Sequence, residues 1–192
     1  MTDTQIFEPD GRAIPFVEEG DSPVRLVLIP EPGQDRDALG VVAHYLVEEA
    51  GFHVVRIGFR TPSSDAGDVA LSDRVDDLTA VLDHLGWDHA WIGGHGFGGT
   101  VARAFVAAHA DRANGLLLLG VEDADIPLAP VIPVLIVQGA DDEITPPANG
   151  ERLQSTASER ASVKSIGGAG HLFPLTHVFE TAVTIEEYLD WD

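Results

Sequence analysis

The run Ala90-Trp91-Ile92-Gly93-Gly94-His95-Gly96-Phe97-Gly98-Gly99-Thr100-Val101-Ala102 decides the fold. It begins as an apolar segment of strand length, and beyond Phe97 the residues Val101, Ala102, Phe105 and Val106 recur at helical spacing. Only a glycine-rich turn separates the two. A strand and a helix joined that tightly bring their backbones into contact, and Gly94, Gly98 and Gly99 leave room for it by having no side chain. The pattern predicts a strand over His89–Gly93 and a helix over Phe97–His109.

The same alternation extends in both directions. Upstream, two short strands near Gln5–Glu8 and Ala13–Glu18 flank Pro9-Asp10-Gly11, a turn-forming cluster that predicts a hairpin. A strand follows at Val24–Ile29. Leu39, Val42, Ala43, Leu46 and Val47 place a helix over Asp35–Ala50, stopped by Gly51, before a strand at Phe52–Ile57. A polar loop, Thr61–Asp68, leads to a helix over Ser72–Leu85, with Ser72 as its N-cap and Gly86 as its stop. Downstream come strands at Gly115–Leu119 and Ile132–Val137, a helix near Pro147–Ala157, a strand at Ala161–Ile166 and a closing helix over Thr176–Leu189. Strands alternating with helices predict a mostly parallel eight-stranded sheet covered on both faces, in one domain spanning residues 1–192.

Composition narrows the function classes. The 192 residues carry 32 acidic against 11 basic side chains, a formal net charge of −21, and Lys164 is the one lysine. Such a surface repels nucleic-acid backbones and anionic lipids, so neither nucleic acid nor membrane is expected as a partner. The acidity fits either a halophilic surface, screened over about 3 Å at 1 M salt, or an arginine-for-lysine bias in an acidic protein. No apolar run reaches the roughly 18 residues of a membrane span, and the N-terminus lacks a secretory pattern, so a cytoplasmic location is the expectation. With no cysteine, thiolate chemistry and cysteine-ligated metals are excluded. His84 and His89 stand five apart, but no carboxylate–histidine spacing signals zinc, and neither metal nor cofactor is expected. Trp87, Trp91 and Trp191 read as packing residues, and Asp73, Asp76, Asp77 and Asp83 as a solvated helix face.

Three loops carry chemistry, each after a strand. The turn around Gly96 comes first. Gln138-Gly139-Ala140-Asp141-Asp142-Glu143-Ile144-Thr145-Pro146 follows the seventh strand, and Gly167-Gly168-Ala169-Gly170-His171-Leu172-Phe173 follows the eighth. The first resembles the nucleophile elbow, pattern G-x-S-x-G, of the α/β-hydrolase superfamily; the second resembles its acid loop and the third its histidine loop, in the family's chain order. The resemblance covers nearly the whole chain. It implies the α/β-hydrolase fold, with Asp142 as the acid, His171 as the histidine and Gly96 at the serine position. His95 matches the histidine that often precedes the serine. The resemblance also implies oxyanion donors at the Phe97 N–H and in Ile29-Pro30-Glu31-Pro32-Gly33, where the prolines have no N–H and Glu31 is the candidate. Phe97, Glu31, His95 and Leu172 would line the substrate side of the pocket. Gly94-x-Gly96-x-x-Gly99 also fits a dinucleotide-binding turn, but it lies on the fifth strand and has no lysine beside it.

Glycine has no atom with which to attack a carbonyl, so an acyl-enzyme cannot form at position 96. Thr100, one turn into the helix, should point away from the site. Three readings stay open. The protein is an ester or acyl hydrolase in which the Asp142–His171 pair acts as general base without a covalent step. Alternatively it is a pseudoenzyme that binds or regulates, or an inactive serine-to-glycine form of a serine esterase. Only eleven residues, Val121–Val131, separate the sixth and seventh strands, so no cap domain is expected over the site. The expected ligand is a small ester or acyl-type molecule, and a homo-oligomer is compatible with the sequence.

Overall fold

The computed structural model describes residues 3–33, 39–60 and 69–189. Its strands are β1 (Gln5–Phe7), β2 (Ile14–Glu19), β3 (Arg25–Ile29), β4 (His53–Ile57), β5 (Ala90–His95), β6 (Ala113–Leu119), β7 (Val134–Gly139) and β8 (Ala161–Ile166). They form one sheet in the order β1-β2-β4-β3-β5-β6-β7-β8. The hairpin β1–β2 and the β2–β4 pair are antiparallel, and every pairing from β4 to β8 is parallel.

Helices cover both faces, which is why the parallel strands are apolar on both sides. Successive residues of β3 divide between two cores. Val27 and Ile29 join the cluster under α2 (Leu71–Leu85) and α3 (Phe97–Ala108), while Leu26 and Leu28 join the one under α1 (Gly40–Glu48) and α6 (Val178–Leu189). β6 and β7 divide the same way, Leu116, Leu118, Val134 and Ile136 against Leu117, Leu119, Leu135 and Val137. Each fully buried leucine or phenylalanine, such as Leu82 or Phe105, contributes about 1.5–3 kcal/mol of transfer free energy. α4 (Pro147–Ser155) packs on β7 and β8.

The expected eight-stranded architecture is present, with local corrections. β5 runs to His95, beyond the predicted stop, because its glycines stay paired to β3 and β6. Ser72 lies inside α2, whose N-cap is Ala70 without a side-chain cap; Gly86 ends the helix at φ 69° as expected. The predicted closing helix is α6 (Val178–Leu189), and a short helix that the sequence reading did not mark, α5 (Phe173–Thr176), precedes it. His177 leaves helical dihedrals between them, donating its N–H to Phe173 O while its own carbonyl accepts from Thr181 N and Oγ1. The predicted start of the first helix, Asp35–Ala38, the loop Thr61–Asp68 and Trp191 lie outside the described residues.

Asp77 is the clearest exception to the solvated face assigned to α2. It is buried, and its carboxylate pairs with Arg12 and, at 2.7 Å, with Arg60 Nε. That pair ties α2 to the segment after the hairpin turn and to the end of β4. The segment between β6 and β7 has no helix over the site. It is pinned by the buried Arg103 of α3, which donates to the carbonyls of Glu122, Ala124 and Ile126. Among the described residues, no helix is long and apolar enough to cross a membrane.

Candidate active site at the β5–α3 turn

The turn is built from close backbone contact. A Cβ on Gly94 would lie 2.2 Å from the Gly98 carbonyl carbon, so no other residue fits there without displacing the helix. Gly96 sits at φ 54°, ψ −119°, a conformation that costs a residue with a side chain about 1–3 kcal/mol. Its N–H donates to Leu119 O at 3.0 Å, extending the β5–β6 ladder, and its carbonyl accepts from Thr100 N. Phe97 then opens α3, with its N–H at the positive end of the helix dipole.

The two downstream loops are fastened to each other. Ala140 N donates to Ile166 O and Asp141 N to Ala169 O. Gln138, wholly buried, accepts from Val121 N and donates to Pro146 O, fixing both ends of the acid loop's surroundings. Asp142 accepts from Ile144 N and Thr145 N at one oxygen, and from Thr145 Oγ1 at 2.6 Å at the other. His171 Nδ1 lies 3.0 Å from Asp142 Oδ2, so the acid–histidine pair expected from the loops is formed. Burial alone would push the Asp142 carboxyl up, but the bonds from Thr145, His171 and Ile144 overcome it and hold the pKa below the usual range.

The other face of His171 holds the surprise. Its Nε2 lies 2.7 Å from Glu31 Oε2, and a Cβ built on Gly96 would lie 2.5 Å from Glu31 Oε1. The Glu31 carboxylate therefore fills the space that a side chain at position 96 would enter. Sequence reasoning placed Glu31 at the site through its backbone N–H; in the structure its side chain makes the contact. Burial works to lower the His171 pKa, and hydrogen bonds and attraction from Glu31 and Asp142 reverse this, raising it above the ordinary histidine value. Both ring nitrogens of His171 thus face a carboxylate, which favours the charged ring.

His95 is buried behind it, stacked on the His171 ring at 4.6 Å, with Nε2 2.8 Å from His171 O. Burial, and repulsion from the charged His171, lower its pKa and keep it neutral. Phe97 is half-buried against Phe59, Leu172 stands 44% exposed at the rim, and Thr100 turns away to bond Glu122 Oε1, as expected. Thr145 and Gln138 were missed by sequence reasoning. The Asx-type loop starting at Asp142 is the signal for Thr145, whose N–H three residues on caps the carboxylate. Nothing in the local pattern marks Gln138.

A profile described as the alpha/beta hydrolase fold matches residues 57–132, which include the glycine turn. No curated protein matches the chain. Solved structures with similar folds include a thermophilic esterase from Thermogutta terrifontis, 18% identical with TM-score 0.84 over 98% of each chain. A predicted CIB-like hydrolase from Thermoplasma acidophilum is 17% identical, with TM-score 0.82 over 98% of each chain. A meta-cleavage product hydrolase from Pseudomonas fluorescens is 15% identical, with TM-score 0.83 over 97% of each chain. With the sheet order, the glycine turn and the ordered acid and histidine loops, these likenesses show that the chain has the α/β-hydrolase fold.

Proposed function

We propose that the protein is an ester or acyl hydrolase that activates water directly, with Glu31 as general base and the His171 imidazolium as general acid. The observation that carries this reading is the 2.7 Å contact between Glu31 and His171 Nε2, made over a glycine that has no nucleophile. In the serine enzymes that the fold resembles, neutral histidine is the base; here a second carboxylate keeps the ring charged, and the roles divide.

The cycle closes without a covalent intermediate. Glu31 takes a proton from water as the water oxygen bonds to the acyl carbon and the carbonyl π electrons move to oxygen. The N–H of Phe97, at the start of α3, faces the developing oxyanion. As the C–O bond to the leaving group breaks, that oxygen takes the Nε2 proton of His171. The proton on Glu31 then passes to His171 across their hydrogen bond, while Asp142 holds Nδ1–H throughout. The products are a carboxylic acid and an alcohol.

The test is the hydrolysis of an alkyl ester, ethyl butyrate, whose alkoxide needs a proton in order to leave, by the unmodified protein as a function of pH in a pH-stat. Activity requires charged His171, so it declines as pH rises through the raised His171 value, opposite in sign to a histidine base. Glu31→Gln should lower kcat by about 10²–10⁴-fold. A rate that climbs through that alkaline range, or one indifferent to Glu31→Gln, refutes the assignment. One observation favours a second reading, a binding or regulatory protein: the Glu31 carboxylate fills the space that a side chain at position 96 would enter. Complete absence of hydrolysis at every pH would select it.

A further inference from the structure

Among the described residues, one group of three combines histidines and a carboxylate closely enough to hold a metal ion: Glu31, His95 and His171, with one donor atom from each within 4.8 Å of the others. We propose that these residues form a site for a single dication of the zinc class. The proposal goes beyond the hydrolytic reading and does not rest on it.

The hydrogen bonds already fix the outer ring of such a site. A carbonyl oxygen only accepts, so the His95 Nε2 that faces His171 O at 2.8 Å carries the hydrogen, and Nδ1 keeps the lone pair. A carboxylate likewise only accepts, so His171 Nδ1, 3.0 Å from Asp142, keeps its hydrogen, and the ion would displace to solvent the proton that Nε2 shares with Glu31 at 2.7 Å. Histidines that bind metals characteristically donate their second N–H to a carboxylate or a backbone carbonyl, and here one does each. Asp142 in turn is held by three bonds from Ile144 and Thr145.

Two imidazoles and one carboxylate are the donors of open zinc sites, which leave a fourth position for water. Oxygen-seeking magnesium and calcium prefer other sets. Zinc–ligand bonds of about 2.0–2.2 Å put tetrahedral donor atoms about 3.3–3.5 Å apart, so the three donors must close by up to ~1.5 Å. Binding opens the Glu31–His171 contact and turns the two rings, now tilted by 27°, from their stack toward a shared apex. Gly96 adds no atom to the space in front of them. Because the ion takes His171 Nε2 and the Glu31 carboxylate, its occupancy shuts off the proton shuttle.

The experiment titrates Co²⁺ and Zn²⁺ into the full-length protein with millimolar MgCl₂ present, which saturates weak binding to the acidic surface. The expected result is one equivalent of Co²⁺ giving the intense visible bands of tetrahedral cobalt, displaced by one equivalent of Zn²⁺. Affinity should fall by about 100-fold or more in Glu31→Gln and His95→Gln, since even outer-ring changes cost 10–100-fold. Glu31→Gln, on a partly exposed side chain, serves if His95→Gln does not fold. Absence of the bands in the unmodified protein, or equal affinity in folded Glu31→Gln, overturns the proposal. The readout is binding, so a protein inactive toward esters is tested equally well.

Discussion

Substitution of Gly96 by serine is the perturbation that most directly probes the steric relation between the elbow and Glu31. Two costs follow from the geometry. A serine at φ 54° carries backbone strain of about 1–3 kcal/mol. Its Cβ would also lie 2.5 Å from Glu31 Oε1 and 2.9 Å from Glu31 Cδ, so the carboxylate must leave and its contact with His171 is lost. A hydrogen bond to a charged group contributes about 1.5–3 kcal/mol, and the side chain of Glu31 is 20% exposed, so the lower half of that range applies. Gly96→Ser in the native background should then cost about 2.5–5 kcal/mol, but only the strain, about 1–3 kcal/mol, once Glu31→Ala has removed the carboxylate. Urea denaturation of the four proteins in this cycle measures the coupling directly. An acyl-enzyme burst with an aryl ester, absent from the unmodified protein, should appear in both Gly96→Ser and Gly96→Ser/Glu31→Ala, because His171 is released from Glu31 in each. Additive stabilities, within about 0.5 kcal/mol, would show that Glu31 does not occupy the elbow and would refute the steric argument.

Two further predictions concern the frame. Arg103→Met leaves the carbonyls of Glu122, Ala124 and Ile126 without their buried donor and should cost about 2–4 kcal/mol, with new protease cleavage between residues 121 and 131. In acid, stability should fall in two stages: first below the ordinary histidine value of about 6.5, because His95 stays neutral in the fold while the unfolded chain binds a proton, and again as Asp142 is protonated below its lowered pKa. His171 acts oppositely, stabilising fully below about 6.5 and losing that contribution as pH rises through its raised value; denaturation midpoints of His95→Gln against the unmodified protein separate the histidine stage.

What was legible in the sequence was whatever local chemistry dictates. Gly94 and Gly98 can be read as a close strand–helix turn because contact between backbones admits no other residue. Asp142 and His171 can be read because each follows its strand directly, so the sheet fixes their positions. The short helix α5 ahead of the closing helix could not be read, since four residues set up no apolar spacing. Asp77 was misread for a different reason. Its helical spacing matches Asp73 and Asp76, and only the tertiary approach of Arg12 and Arg60 turns it inward. The Glu31–His171 pair spans 140 positions and the His95–His171 pair 76, separations over which no spacing rule operates.

Glu31 and Gly96 also change how the departures from the family pattern should be weighed. Taken singly, a Pro-Glu-Pro loop after β3 and a glycine at the elbow look like two unrelated failures of a serine hydrolase. In three dimensions they are one steric unit. Glu31 reaches His171 only because position 96 has no Cβ, and glycine is tolerated there without exposing His171 because a carboxylate takes the missing side chain's place. Glu31 is held against the histidine by a 2.7 Å contact. Thr145, two backbone N–H groups and Asp142 keep the opposite nitrogen fixed. Burial works against a charged His171 ring, and the carboxylates at its two nitrogens oppose that effect. The two carboxylates are therefore interdependent. Neutralising either one should lower the His171 pKa, whereas a residue that simply packs in the pocket would leave it unmoved.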